Sequence, residues 1–235
     1  MNEKKLGVIG GLGPKATAYF YNLIVDNTKA DADQDHIDAI YLNHASMPDR
    51  TRAILFKKTE ELKHLLIEDA KLLESLGVSH IAIPCNTSHS FYEDIQNSVN
   101  IPVINMIDET IKYIIGKFPM IEKIGILATN GTREMRIYDK YANSNSVEIV
   151  YPSTEGQDLV MKAIYDGVKA GKDIKSSSLD SVIEELKSKG CKAVVLGCTE
   201  LSVIFHDRFD SDIVDPLRVL AYKSIEMSGK QIKYN

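Results

Sequence analysis

The 235-residue chain reads as an α/β protein of two pseudo-symmetric domains. Each is a roughly four-stranded parallel sheet flanked by helices. Three observations predict this. Short apolar runs alternate with helical patterns, as in parallel sheets covered on both faces. The halves of the chain repeat one another: KLGVIGGLGP starts at Lys5 and KIGILATNGT at Lys123, GVSHIAIPCNTS at Gly77 and GCKAVVLGCTEL at Gly190. The glycines and the cysteines of the second pair share one offset of 113 residues (190 − 77 and 198 − 85).

The elements follow in order. Leu6–Ile9 is the first apolar run. It leads through a glycine loop into a helix that Pro14 can open, because a helix's first turn needs no N–H there. Ala39–Leu42 is the second run. Leu62, Leu65, Leu66, Leu73 and Leu76 then recur at helical spacing as a core-facing stripe. His80–Ile83 ends just before Cys85, and Val103–Met106 closes the first half. Ile124–Ala128, Val147–Tyr151, Ala193–Leu196 and Asp212–Val214 repeat the series, with Cys198 after the third run. Asp108 and Asp215 follow the last run of each half. The expected domains are residues 1–107 and 108–215. A final helix, Pro216–Ser228, stopped by Gly229, folds back so that 216–235 join the first.

Composition is that of an ordinary globular chain, 44% hydrophobic and 26% charged. No apolar run reaches the roughly 18 residues of a membrane span, and MNEKKLGVIGG lacks the apolar stretch of a signal peptide. A net charge of −5 without a basic stripe argues against nucleic acid. It also means that an anionic substrate needs local Arg or Lys. Three cysteines, Cys85, Cys191 and Cys198, are the odd count of free thiols in a reducing, cytoplasmic setting. No CxxC pair or Cys/His cluster suggests a metal.

Ligands of open α/β sheets bind beyond the carboxyl ends of the strands, where Cys85 and Cys198 both fall. Facing halves would bring the two thiols to one cleft from opposite sides. One thiolate could then take a proton from a carbon while the opposite thiol returns one to the other face. A reference pKa of about 8.5 suits a thiol to both roles. Thr87, Ser88 and Thr199 are candidate N-caps, so each cysteine would sit at a helix start that favours the thiolate. That effect is worth about one pKa unit at most. Asn86, Thr87 and Thr199 could add hydrogen bonds. Adjacent thiolates repel, so one thiol and one thiolate are expected at a time. The competing reading makes both cysteines small buried hydrophobes. Cys191, which precedes its strand, reads as structural.

GGLGP at 10–14, PDRT at 48–51, PCNTSH at 84–89, TNGT at 129–132 and GCTELS at 197–202 resemble the aspartate/glutamate racemase superfamily over nearly the whole chain. Within it the PLP-independent aspartate racemases are most similar. The resemblance implies a site between two α/β domains, with Cys85 and Cys198 as acid/base residues and neither cofactor nor metal. It implies a small amino-acid substrate and a homodimer. The second cysteine would serve the L face and the first the D face. Arg50, with Arg52 close behind, and Lys169, with Tyr165 one turn earlier, would meet the substrate's carboxylates; Arg can do so through two parallel hydrogen bonds. Thr129, Asn130 and Thr132 mirror the Gly10–Gly13 loop, Gly11 included, and offer backbone N–H groups to a carboxylate. Thr199 and Glu200 complete the expected lining. Glutamate racemases have His where Glu200 stands, and Asp-Ser before the first glycines, so both departures favour aspartate.

Other readings stay open. The superfamily also holds decarboxylases, maleate isomerases and hydantoin racemases, and a thiol sensor or ligand-binding relative without turnover fits too. The pair of cysteines favours racemisation. GGLGPKA matches the dinucleotide pattern G-x-G-x-x-A, but the next run ends near Asn43 rather than at an acidic residue. His44 and His89 lie near strand ends and could line the cleft, although His89 reads better as a surface residue at a helix start. Asp108, Glu109 and Asp215 read as caps or solvated carboxylates.

Overall fold

The computed structural model describes residues 4–208 and 210–233. In the first half, β1 (Leu6–Gly10) pairs in parallel with β2 (Ala39–Asn43) and with β3 (His80–Ala82), in the order β2-β1-β3. In the second, β4 (Lys123–Ala128), β5 (Glu148–Val150), β6 (Ala193–Gly197) and β7 (Ile213–Val214) form a parallel sheet ordered β5-β4-β6-β7. The two orders superpose element for element. The fourth place in the first sheet, expected to be a strand from Val103 to Met106, is a single parallel bridge between Val103 and Ile81. Pro102 has no N–H to give a ladder, and Met106 already starts a helix that Asn105 caps by accepting the Asp108 N–H. β1 and β6 are buried along their whole length, the property that made them legible as continuous apolar runs.

The helices are α1 (Pro14–Asn27), α2 (Arg50–Leu55), α3 (Glu60–Ser75), α4 (Tyr92–Asn97), α5 (Met106–Lys117), α6 (Asn130–Glu134), α7 (Ile137–Asn143), α8 (Thr154–Lys162), α9 (Asp180–Ser188), α10 (Thr199–Ile204) and α11 (Pro216–Met227). α8 runs on into a five-residue π-turn, Ala163–Gly167, and a 3₁₀ turn, Val168–Ala170. The α3 stripe buries Leu62, Leu66, Ala70 and Leu73 against Ile9, Ile81 and Ile83. Leu76, read as part of that stripe, lies past the helix end and is exposed. α11 sits between the halves. Leu217, Leu220, Ala221 and Ile225 pack with Leu6, Val8 and Phe20, while Val219 packs with Ile107, Ile111 and Val214. Asp215 caps it by accepting the Leu217 N–H.

Candidate active site

Cys85 lies just beyond β3, 6% exposed. Its carbonyl accepts a hydrogen bond from His89 Nδ1 at 2.9 Å, and His89 Nε2 accepts the Met106 N–H at 3.1 Å. These two bonds fix the neutral tautomer with the proton on Nδ1. Burial holds the His89 pKa below its ordinary value. His89 is therefore not the surface residue expected: the N-terminus of α5 covers it, and it braces the backbone of Cys85. The turn after Cys85 is 3₁₀, Thr87–Phe91, and neither Thr87 nor Ser88 caps it. Asn86 Oδ1 instead accepts from the Tyr138 hydroxyl of α7. Thr87 Oγ1 lies 2.9 Å from Thr132 Oγ1 and 3.3 Å from Thr129 Oγ1. The Cys85 turn of the first half thus rests on the TNGT loop of the second.

Cys198 follows β6 and is itself the N-cap residue of α10, without a side-chain cap; the expected cap at Thr199 does not form. Its thiol donates to Glu200 Oε2 at 2.9 Å. Glu200 is 4% exposed. A methyl group placed on Gly13 would stand 3.0 Å from Glu200 Oε1, so the Cys198 turn of the second half lies against the glycine loop of the first. Each cysteine turn therefore meets the opposite half's first loop, a reciprocal contact that follows from the repeat.

Cys198 stands beside a carboxylate. Burial first, then the Glu200 carboxylate, pushes the Cys198 thiol well above its ordinary pKa, with Lys169 pulling the other way. Burial and the carboxylate thus oppose the preference for a thiolate that a helix start confers. α10 has six residues and places a carboxylate in its first turn, which outweighs so short a dipole.

A third group of residues bridges the halves. Asp49 caps α2 by accepting the Arg52 N–H at 2.9 Å. Its Oδ2 accepts from Lys169 Nζ at 3.0 Å, and the Tyr165 hydroxyl lies 3.1 and 3.2 Å from its two oxygens. Lys169 Nζ also sits 4.3 Å from the Tyr165 ring centre. Burial opposes the Lys169 charge, but Glu200, Tyr165, Cys198 and Asp49 together hold its pKa up.

The remaining expected residues are placed as follows. Arg50 is buried and commits Nη1 to the carbonyls of Pro48 and Met47; a carboxylate would have to take its other edge. Arg52 is exposed on α2. The Gly11 N–H donates to Thr17 Oγ1. The Asn130 N–H points at Met161 Sδ and the Thr132 N–H at Thr129 Oγ1, so these N–H groups serve the fold rather than an anion. Asn130 Oδ1 accepts from Gln157. Thr199 is buried beside Cys198. Cys191 is buried at the far end of β6, and burial raises its pKa. Sequence reasoning missed Asp49 and Tyr138, although Asp49 stood inside the PDRT motif. Among the described residues, no group of three or more His, Cys, Asp or Glu is placed to hold a metal ion, and no helix is long and apolar enough to cross a membrane. Asn86 Nδ2, Ser88 Oγ and Glu200 Oε1 are buried polar atoms without a hydrogen-bond partner. All three lie within three residues of the two cysteines.

The chain is similar in sequence and fold to known proteins. The family model described as Asp/Glu/Hydantoin racemase matches residues 9–223. The chain is 28% identical over 223 residues to the broad specificity amino-acid racemase RacX of Bacillus subtilis, which spans 94% of this chain and 96% of that protein. Among solved structures it is similar to the aspartate racemase of Picrophilus torridus, at 29% identity and a TM-score of 0.81, covering 98% of this chain and 96% of that one. It is also similar to an aspartate racemase homologue from Pyrococcus horikoshii, at 25% identity and a TM-score of 0.78, covering 96% and 99%.

Proposed function

The chain belongs to the Asp/Glu/hydantoin racemase family, and from that premise we propose that it is an amino-acid racemase, with aspartate as first substrate, acting without a cofactor through Cys85 and Cys198. The observation that carries the reading is the reciprocal placement of the thiols. Each is buried beyond an equivalent strand, in a turn that abuts the other half's first loop, among buried polar atoms that have no protein partner. Such atoms need a polar partner, which water or a polar ligand can supply.

In the proposed reaction one cysteine, as thiolate, removes the α-proton: the C–H bond breaks and an S–H bond forms. The opposite cysteine, as thiol, delivers a proton to the other face: its S–H bond breaks and a new C–H bond forms. The thiol and thiolate have then exchanged places, and proton exchange with solvent resets them. On the L substrate Cys198 is the base and Cys85 the acid; on the D substrate the roles reverse. Burial and Glu200 favour the thiol form of Cys198, the form in which it acts as the acid toward the D substrate. Lys169 and the open edge of Arg50 meet the carboxylates, and the protein works as a homodimer.

The test is a chiral assay with L-aspartate in D₂O and no added cofactor. D-Aspartate carrying deuterium at the α-carbon is expected. Cys85→Ser and Cys198→Ser should each lower turnover by about 10²- to 10⁴-fold, the usual worth of a positioned acid or base. Near-normal turnover in either variant would refute the two-thiol mechanism.

A further inference from the structure

Asp49, Lys169 and Tyr165 form a side-chain cluster with a feature that the proposed reaction does not use. Asp49 belongs to the first half and its partners to the second, 116 and 120 residues away in sequence. The two carboxylate oxygens have different duties. Oδ1 accepts the Arg52 N–H and starts α2; Oδ2 takes the Lys169 ammonium. Only the second contact can be surrendered without unwinding the helix. Lys169 is three-quarters buried along its side chain. It stays attached to the site when Asp49 lets go, through the Tyr165 ring at 4.3 Å and the field of Glu200. Tyr165 stands on the π-turn Ala163–Gly167 and Lys169 on the following 3₁₀ turn, an irregular stretch of the kind found where helices serve function.

We infer that the Asp49 carboxylate is an internal stand-in for a substrate's side-chain carboxylate. It yields Lys169 to an acidic amino acid and keeps it when the substrate's side chain is uncharged. The inference rests on the proposed racemase reading and names its substrate class, acidic and neutral amino acids together. Without Asp49, a neutral substrate would leave a mostly buried ammonium without the carboxylate it pairs with across the two halves, which is unfavourable. With Asp49 the charge stays paired for neutral substrates, while an acidic one must compete with Asp49 for Lys169. The pair therefore narrows the advantage of acidic over neutral side chains.

Asp49→Asn is the diagnostic substitution. Asn is as good an N-cap as Asp, so α2 is kept and only the charge is lost. Calorimetric titration would compare succinate with its monoamide, two ligands of nearly one shape that differ by one carboxylate. Asp49→Asn should bind succinate about five- to tenfold more tightly, the worth of roughly 1–1.4 kcal/mol, with the monoamide unchanged. In a Lys169→Met background the same substitution should leave succinate binding unaltered. Succinate binding that is unchanged, weakened or absent in both proteins would overturn the inference. So would equal tightening of the monoamide. Weaker binding of L-aspartate and L-asparagine alike would also overturn it, by assigning Asp49 to the substrate ammonium. The titration needs no turnover. A chain that shows the succinate shift but does not racemise L-aspartate loses the proposed activity and keeps the exchange; one that racemises without the shift loses the inference alone.

Discussion

Replacing Glu200 by Gln should make Cys198 a faster nucleophile. The carboxylate accepts the thiol's hydrogen bond at 2.9 Å in a buried setting and would face a thiolate as a like charge. Two unit charges 4 Å apart interact by about 4 kcal/mol at an effective dielectric constant of about 20. Removing only a third of that, about 1.4 kcal/mol, multiplies the thiolate fraction by about ten. A less basic thiolate is also a weaker nucleophile, with a Brønsted slope of about 0.4–0.5. Tenfold more thiolate therefore becomes roughly threefold faster alkylation. Gln keeps the volume, and its amide can still accept from the thiol, so the comparison isolates charge. The assay is timed iodoacetamide labelling at neutral pH, with peptide mass spectrometry reading Cys85, Cys191 and Cys198 separately. A rise of at least about threefold at Cys198, with Cys191 constant, is expected. An unchanged or slower Cys198 would show that burial alone sets its reactivity and that Glu200 has no electrostatic hold on it.

Two further outcomes test the fold around the site. His80, in β3 with Nε2 3.3 Å from Ser228 Oγ, has its pKa lowered by burial to about 4. The unfolded chain binds a proton near pH 6.5, which the folded chain refuses until about pH 4. Stability is thus full above pH 6.5, drains as pH falls toward 4 and levels off below, by at most about 3 kcal/mol. Urea melts of His80→Asn across this window should show a flatter dependence, with a residual slope of the same sign from His89; identical profiles would refute the assignment. Gly11 has φ +85°, and an added methyl group would lie 2.6 Å from the His44 backbone. Gly11→Ala should therefore lose at least about 2 kcal/mol in the same assay, and a loss under about 0.5 kcal/mol would contradict the geometry.

Much of this fold is legible in the sequence, for a physical reason. Strands buried on both faces must be continuously apolar, so Leu6–Ile9 and Ala193–Leu196 announced β1 and β6. The shared 113-residue offset placed Cys85 and Cys198 at equivalent strand ends. What failed to show depends on neighbours distant in sequence. His89 reads as polar and surface-seeking until α5 closes over it. Arg50 reads as a free cation, yet the carbonyls of its own loop hold Nη1. Thr87 reads as a helix cap, but its hydroxyl goes to Thr132 of the other half. The Asp49–Lys169 pair joins two loops 120 residues apart and leaves no periodic mark. Val103 reads as a strand because an apolar run states a preference for burial, but Pro102 withholds the donor that a strand would need, and only one bridge forms.

The repeat that made the site legible also exposes where its halves have parted. Two residues after Cys85 stands Thr87, held in a triangle of hydroxyls with Thr129 and Thr132. Two residues after Cys198 stands Glu200, a buried carboxylate bonded to the thiol itself. A racemase can carry this inequality. Its substrate and product are mirror images with an equilibrium constant of one, so kcat/KM must be the same from either enantiomer however unlike the two bases are. The difference can appear only in kcat and KM taken singly, with compensating changes in each direction. A carboxylate that favours the protonated form of Cys198 favours the acid that the D enantiomer needs, and that enantiomer should show the lower KM and the lower kcat. Glu200→Gln should draw the two KM values together while the two kcat/KM values stay equal. If the wild-type KM values for L- and D-aspartate already coincide, the resting asymmetry at Cys198 has no kinetic expression, and the two thiols work as equals despite their surroundings.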